Sequence, residues 1–195
     1  PQLSENIGLC ARGMKNFGFK NLSLIEPKPM FPNDKIIATS VGAKDIIEKA
    51  NIYPNLEKAL NKTDILIATS ARFRNKNIKH ISLQELKKID FSKKVSFLFG
   101  SEASGLTNNE VSYADYTLQI PSNAKFRSLN LSHSLVIVAQ TVSNLISKEK
   151  FHFHKSKKIQ KATKKEISAM LNFCLTNLEN KNFFKQKSKK PIMLE

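Results

Sequence analysis

Three stretches of this 195-residue chain hold polar side chains where packing alone would not put them. Residues 5–18 set Asn6, Arg12 and Asn16 into an otherwise apolar helical pattern. Amide or guanidinium groups on a buried face are costly unless they have partners or work to do. Residues 99–107 place Gly100, Glu102 and Ser104 in a loop directly after an apolar run. Residues 120–132 run from Ile120 through Lys125, Arg127 and Ser128 to Asn130 and Ser132, where a helix begins. A cation, a carboxylate and several hydroxyls and amides can stabilise a developing anion and hold a ligand. Singly, each stretch has a plainer reading: a turn, a helix cap, a surface arginine.

Several other chemistries are excluded by spacing. The six glycines never form GxGxxG or a P-loop. A serine-hydrolase elbow at Ser104 fails because Glu102 stands where the first glycine is required. His80, His133, His152 and His154 make no ligand spacing, so no metal is expected. Cys10 and Cys174 form no CxxC, which suits a reduced, cytoplasmic setting. The longest apolar run, 135–139, is far too short to span a bilayer, so no membrane association is expected. No secretory pattern opens the chain.

The elements that must position these residues alternate between strand and helix. Helices are expected over 5–18, 43–50, 54–60, 82–89, 107–114 and 130–147, and strands over 22–27, 64–69, 95–100 and 116–121. Residues 28–34, with Pro29 and Pro32, read as a loop. The alternation predicts an α/β fold: a mostly parallel sheet with helices on both faces. Residues 1–150 form this domain. Residues 151–195 read as a basic linker and a helical extension, opened by a Thr163–Glu166 capping box and expected to dock on something or continue past residue 195. Ligands in such sheets bind beyond the carboxyl ends of strands, where the second and third stretches lie.

Charge points to the partner. The net charge is +16, and the last 45 residues hold 11 basic and three acidic side chains. Such a chain favours a polyanion, because releasing phosphate counterions drives binding. A solvated surface in a Lys- and Asn-rich sequence is the bland alternative.

Together and in this order, the three stretches resemble the signature motifs of SpoU-type RNA 2′-O-ribose methyltransferases, of the SPOUT class, over roughly residues 2–147. Residues 22–27, 40–47 and above all 69–74 resemble the TrmJ-like branch, which methylates a pyrimidine at position 32 of the tRNA anticodon loop. The resemblance implies a SPOUT fold with a C-terminal trefoil knot, S-adenosyl-L-methionine as cofactor, tRNA as partner, and a homodimer whose sites are completed across the interface. It also implies a strand ending near Pro1, so this stretch of sheet would lack a central member.

Carried over residue by residue, the cofactor would lie against Thr69, Ser70, Ala71, Gly100, Ile120, Arg127, Ser128 and Leu129. The free backbone groups of three strand-end loops would meet the adenine edge, and Ile120 and Leu129 its faces. Arg127 is larger than the small residue expected beside Ser128. Arg12 would align the ribose hydroxyl and stabilise the developing alkoxide, with Asn6, Glu102, Ser128 and Asn130 completing the catalytic polar set. Glu102 would orient Arg12 or a substrate hydroxyl, or simply form an ion pair that shapes its loop. Arg72, Arg74, Lys15 and Lys125 would contact RNA phosphate. Ribosomal RNA, another tRNA position, or a non-catalytic RNA-binding module of the same fold are the competing readings.

Overall fold

The computed structural model describes residues 1–71, 78–147, 162–181 and 183. The chain divides into two units, Pro1–Lys150 and Phe151–Glu195. In the first, helix α1 (Ser4–Asn16) is followed by strand β1 (Ser23–Ile25), helices α2 (Asp34–Thr39) and α3 (Lys44–Glu48), strand β2 (Asn51–Tyr53) and helix α4 (Leu56–Leu60). Then come β3 (Ile65–Thr69), β4 (Lys79–Ser82), a 3-10 helix (Leu83–Lys88), β5 (Val95–Leu98), α5 (Asn108–Ser112), β6 (Tyr116–Gln119) and α6 (Leu131–Ile146).

Every strand pairing among the described residues is parallel. The strands form two sheets: β1 beside β2, and a four-stranded sheet in the order β4-β6-β3-β5. Side chains alternate across β3, as the two-residue strand period requires. Ile67 joins Ile81, Leu118, Leu86, Val138 and Val142 under α6 and the 3-10 helix. Leu66 and Ala68 join Leu106, Val111 and Ala114 under α5 on the opposite face. The larger sheet is therefore covered on both sides, and its residues are held by two distinct apolar cores.

A third core holds α1 against α2, α3 and β1 through Ile7, Ala11, Leu24, Ile36 and Ile46. Helices α1 and α2 meet closely at Gly8, where an added Cβ would lie 2.0 Å from Thr39 Oγ1 and 2.5 Å from the Ile36 carbonyl. Any larger residue there forces the two helices apart.

The structure adds three elements to the sequence reading. Helix α2 follows directly on the proline-rich loop, over residues given no element, and is capped by Asn33, whose side chain accepts from Ile36 N–H. Strands β2 and β4 are four residues or shorter and carry polar side chains such as Asn51, Lys79 and His80. In the second unit, α7 (Lys164–Asn180) opens at the expected capping box, with Thr163 N–H donating to Glu166 and Glu166 N–H to Thr163. Leu175 on its apolar face is buried, whereas Met170 is exposed. No helix among the described residues is long and apolar enough to cross a membrane.

Candidate active site

The carboxyl ends of β3, β5 and β6 open onto one cavity of about 340 Å³. Thr69 ends β3 and Ser70 and Ala71 follow it, residues 99–106 follow β5, and Ile120 follows β6. Arg127, Ser128 and Leu129 close the fourth side, ahead of Leu131 and Ser134 on α6. The structure thus gathers all eight expected cofactor residues around one space. Its size suits a small organic ligand, and its mix of hydroxyls with Ile120, Leu118 and Leu129 suits a flat heterocycle carrying a polar edge.

Not all of the groups expected to be free are free. Ser70 N–H donates to the Leu118 carbonyl at 3.0 Å, continuing the ladder between the two strands. Thr69 Oγ1 donates to the Leu98 carbonyl at 3.0 Å. Both groups brace the cavity wall, leaving ligand contacts to other atoms of those loops.

The β5 loop is tightly folded. Ser101 and Gly105 form an antiparallel bridge, and Gly105 N–H donates to the Ser101 carbonyl at 2.9 Å. A Cβ on Gly100 would lie 2.2 Å from Gly105 C and 2.3 Å from Leu106 N, so only glycine permits this closure. The loop carries Glu102 back toward the start of the chain.

There the Glu102 carboxylate accepts from Gln2 N–H at 2.8 Å, Leu3 N–H at 3.3 Å and the Asn6 amide at 2.8 Å. Asn6 is only 3% exposed, and its Oδ1 accepts from Asn130 Nδ2 at 3.1 Å. Asn130 in turn caps α6 by accepting from Ser132 N–H and Ser132 Oγ. Three of the expected polar residues, from three distant parts of the sequence, form one chain of hydrogen bonds. Burial pushes the Glu102 carboxyl up, but the Asn6 amide and the backbone N–H groups of Gln2, Glu102 itself and Leu3 outweigh it and hold it below its ordinary value. It is therefore ionised at neutral pH and already engaged as an acceptor. Among the described residues Glu102 neither orients Arg12 directly nor forms an ion pair; it grips backbone and Asn6 instead.

Arg12 stands apart. It is exposed on α1 and does not line the cavity of its own chain. The expectation of a buried polar face holds for Asn6 alone, since Arg12 and Asn16 both face solvent. Lys15 pairs with Asp45 at 2.6 Å, which offsets its charge locally. Lys125 is exposed beside the cavity-lining segment. Arg72 and Arg74 lie outside the described residues. Burial, with the Glu102 charge nearby, pushes the Cys10 thiol up to about 12, so it offers no nucleophile.

Of the lining residues, Leu118 and Ser134 fall outside the stretches the sequence singles out. Leu118 was within reach, because it lies two residues before Ile120 along the same strand direction.

Residues 1–140 match the SpoU rRNA Methylase family. The chain belongs to that family. Its curated relatives include the tRNA (cytidine-2′-O-)-methyltransferase TrmJ of Methanocaldococcus jannaschii, 31% identical over 77% of this chain and 67% of the relative. The tRNA (cytidine/uridine-2′-O-)-methyltransferase TrmJ of Sodalis glossinidius is 39% identical over 70% of this chain and 55% of the relative. The chain therefore spans between about half and two thirds of the length of these relatives. Among solved structures, TrmJ from Z. mobilis ZM4 superposes with a TM-score of 0.69 at 28% identity, over 95% of this chain and 80% of that one. A probable methylase family protein from Haemophilus influenzae gives 0.67 at 27% identity, over 98% of this chain and 79% of that one. In this member of the family the gathered loops lie at the carboxyl edge of the larger parallel sheet.

Proposed function

We infer that this SpoU-family chain transfers a methyl group from S-adenosylmethionine to a ribose 2′-hydroxyl of tRNA, at the pyrimidine in position 32, in the cytoplasm. The observation that supports this reading best is the convergence of residues 69–71, 99–106 and 127–129 on one cavity in a chain of this family. The names of its relatives, tRNA (cytidine/uridine-2′-O-)-methyltransferases, favour tRNA as the substrate. We further propose that residues 121–130 take part in the family's trefoil crossing.

When bound, S-adenosylmethionine supplies a methyl group on a sulfonium that departs as a neutral thioether. Ile120 and Leu129 would pack on its adenine, and Ser128 with the backbone of the Gly100 loop would hold its polar edges. A ribose hydroxyl is almost un-ionised at neutral pH, so the reaction needs alignment and stabilisation of the forming alkoxide. The guanidinium of Arg12 supplies both; being permanently charged it cannot take up the hydroxyl proton, which leaves to solvent water. Because Arg12 lies outside the cavity of its own chain, it would serve the cavity of a second copy, which makes the working unit a homodimer.

Mapping 2′-O-methylation across total tRNA and ribosomal RNA, with and without the protein, tests this. Loss of one mark at tRNA position 32 is expected. Loss confined to ribosomal RNA would overturn the substrate assignment, and no loss anywhere would favour a non-catalytic binding module.

A further inference from the structure

Phe126 is 76% exposed at the tip of a turn, immediately before the cavity-lining residues Arg127, Ser128 and Leu129. A large aromatic ring left in water forfeits its burial energy, so its position calls for a partner. The turn that carries it is rigidly built. Phe126 N–H donates to the Asn123 carbonyl at 2.9 Å, and Lys125 N–H to Asn123 Oδ1 at 2.9 Å. Arg127 Nε donates to the Ala124 carbonyl at 3.3 Å, and Ser122 Oγ to the Arg127 carbonyl at 3.2 Å. Asn123 and Phe126 also form an antiparallel bridge.

We propose that Phe126 is a stacking platform for an unpaired RNA base next to the methylated nucleotide. Lys125 and Arg127 flank it directly and bring two cations to the same turn. An aromatic ring between cations is the combination that holds single-stranded nucleic acid: the ring meets the base, the cations meet the phosphates. An apolar protein partner would gain nothing from the two charges beside the ring. The turn is preorganised, so ordering it on binding costs little. The cavity one residue away fixes which base is involved: a neighbour of the nucleotide whose ribose reaches the methyl donor. This inference rests on the RNA methyltransferase reading above.

The chain has no tryptophan, so Phe126→Trp places a single reporter at the site. Titrating that variant with an unmodified tRNA transcript should quench its emission at least two-fold. Phe126→Ala should weaken binding of the same transcript about ten-fold or more, and Phe126→Tyr should restore it. Calorimetric affinity for S-adenosylmethionine and the sedimentation coefficient should not change in any of the three. Unmoved emission at concentrations that saturate the wild type would overturn the proposal, as would wild-type tRNA affinity in Phe126→Ala. Loss of S-adenosylmethionine binding in Phe126→Ala would assign the ring to the cofactor cavity instead, and dissociation of the oligomer would assign it to self-association; either overturns it. A wild-type protein that neither binds nor methylates tRNA defeats the broader reading along with this one. A wild type that methylates tRNA while Phe126→Ala does so equally well defeats this one alone.

Discussion

Replacing Glu102 with alanine removes the acceptor for Gln2 N–H, Leu3 N–H and the Asn6 amide in one step. The two backbone groups can turn to water, but Asn6 is buried and keeps only its link to Asn130. A hydrogen bond to a charged group contributes about 1.5–3 kcal/mol, and an unpaired buried amide costs about as much. Glu102 is partly exposed, and solvent screening reduces the figure to roughly 1–2 kcal/mol. For a domain of this size that lowers the melting temperature by about 2–8 °C. The effect should depend on pH in a defined sense. Because the folded carboxyl sits below its ordinary value of 4.5, its contribution is complete above the carboxylate range and is lost as pH falls through the depressed value. The gap in melting temperature between wild type and Glu102→Gln, which cannot titrate, should therefore narrow between neutral pH and about pH 3. Scanning calorimetry of both proteins across that range is the assay. Identical melting of wild type and Glu102→Ala at neutral pH, or a gap that stays constant into acid, would refute the assignment of Glu102 as a clamp.

Gly100→Ala sets a Cβ 2.2 Å from Gly105 C, a backbone atom that cannot step aside, so the loop must open at a cost of about 1–3 kcal/mol. Titration calorimetry should show S-adenosylmethionine binding lost in that variant, and an unaltered affinity would show that the loop does not shape the cofactor site. The affinity for tRNA should fall about ten-fold or more between 50 and 200 mM salt, because a net charge of +16 acts through phosphate contacts. Filter binding across that range checks it, and a flat response would remove the charge argument.

The parallel sheet and its cavity were legible because buried strands and capping boxes are local signals. Residues 65–68 are an unbroken apolar run, and the Thr107–Glu110 and Thr163–Glu166 boxes lie where helices begin. Helix α2 was hidden by Pro29 and Pro32, although Asn33 ahead of Ile36 and Ile37 was a usable cap signal. Strand β4 was hidden because a four-residue strand carrying Lys79 and His80 has no apolar alternation to detect. The partners of Glu102 could not be read locally, since Asn6 lies 96 residues away. The face occupied by Arg12 could have been read. Arg12 lies about 120° around the helix from Asn6 and within about 40° of Glu5 and Asn16, so it shares their polar face.

That rotation has a consequence for how the site is assembled. Asn6 ties α1 to the cavity through Glu102, while Arg12 on the same helix points elsewhere. If Arg12 acts in a second copy, two inactive variants should rescue each other. Arg12→Ala keeps an intact cavity and lacks the cation; Gly100→Ala lacks the cavity and keeps the cation. Mixed dimers of the two contain one site with both parts and one with neither. Equal co-expression gives half mixed dimers, so methyl transfer to tRNA should return to about one quarter of the wild-type level. Were Arg12 to act within its own chain, no dimer would hold a complete site, and the mixture would be as inactive as either parent. Activity at background in co-purified mixed dimers would therefore sink the shared site, while each variant alone reports whether Arg12 and the Gly100 loop are needed at all.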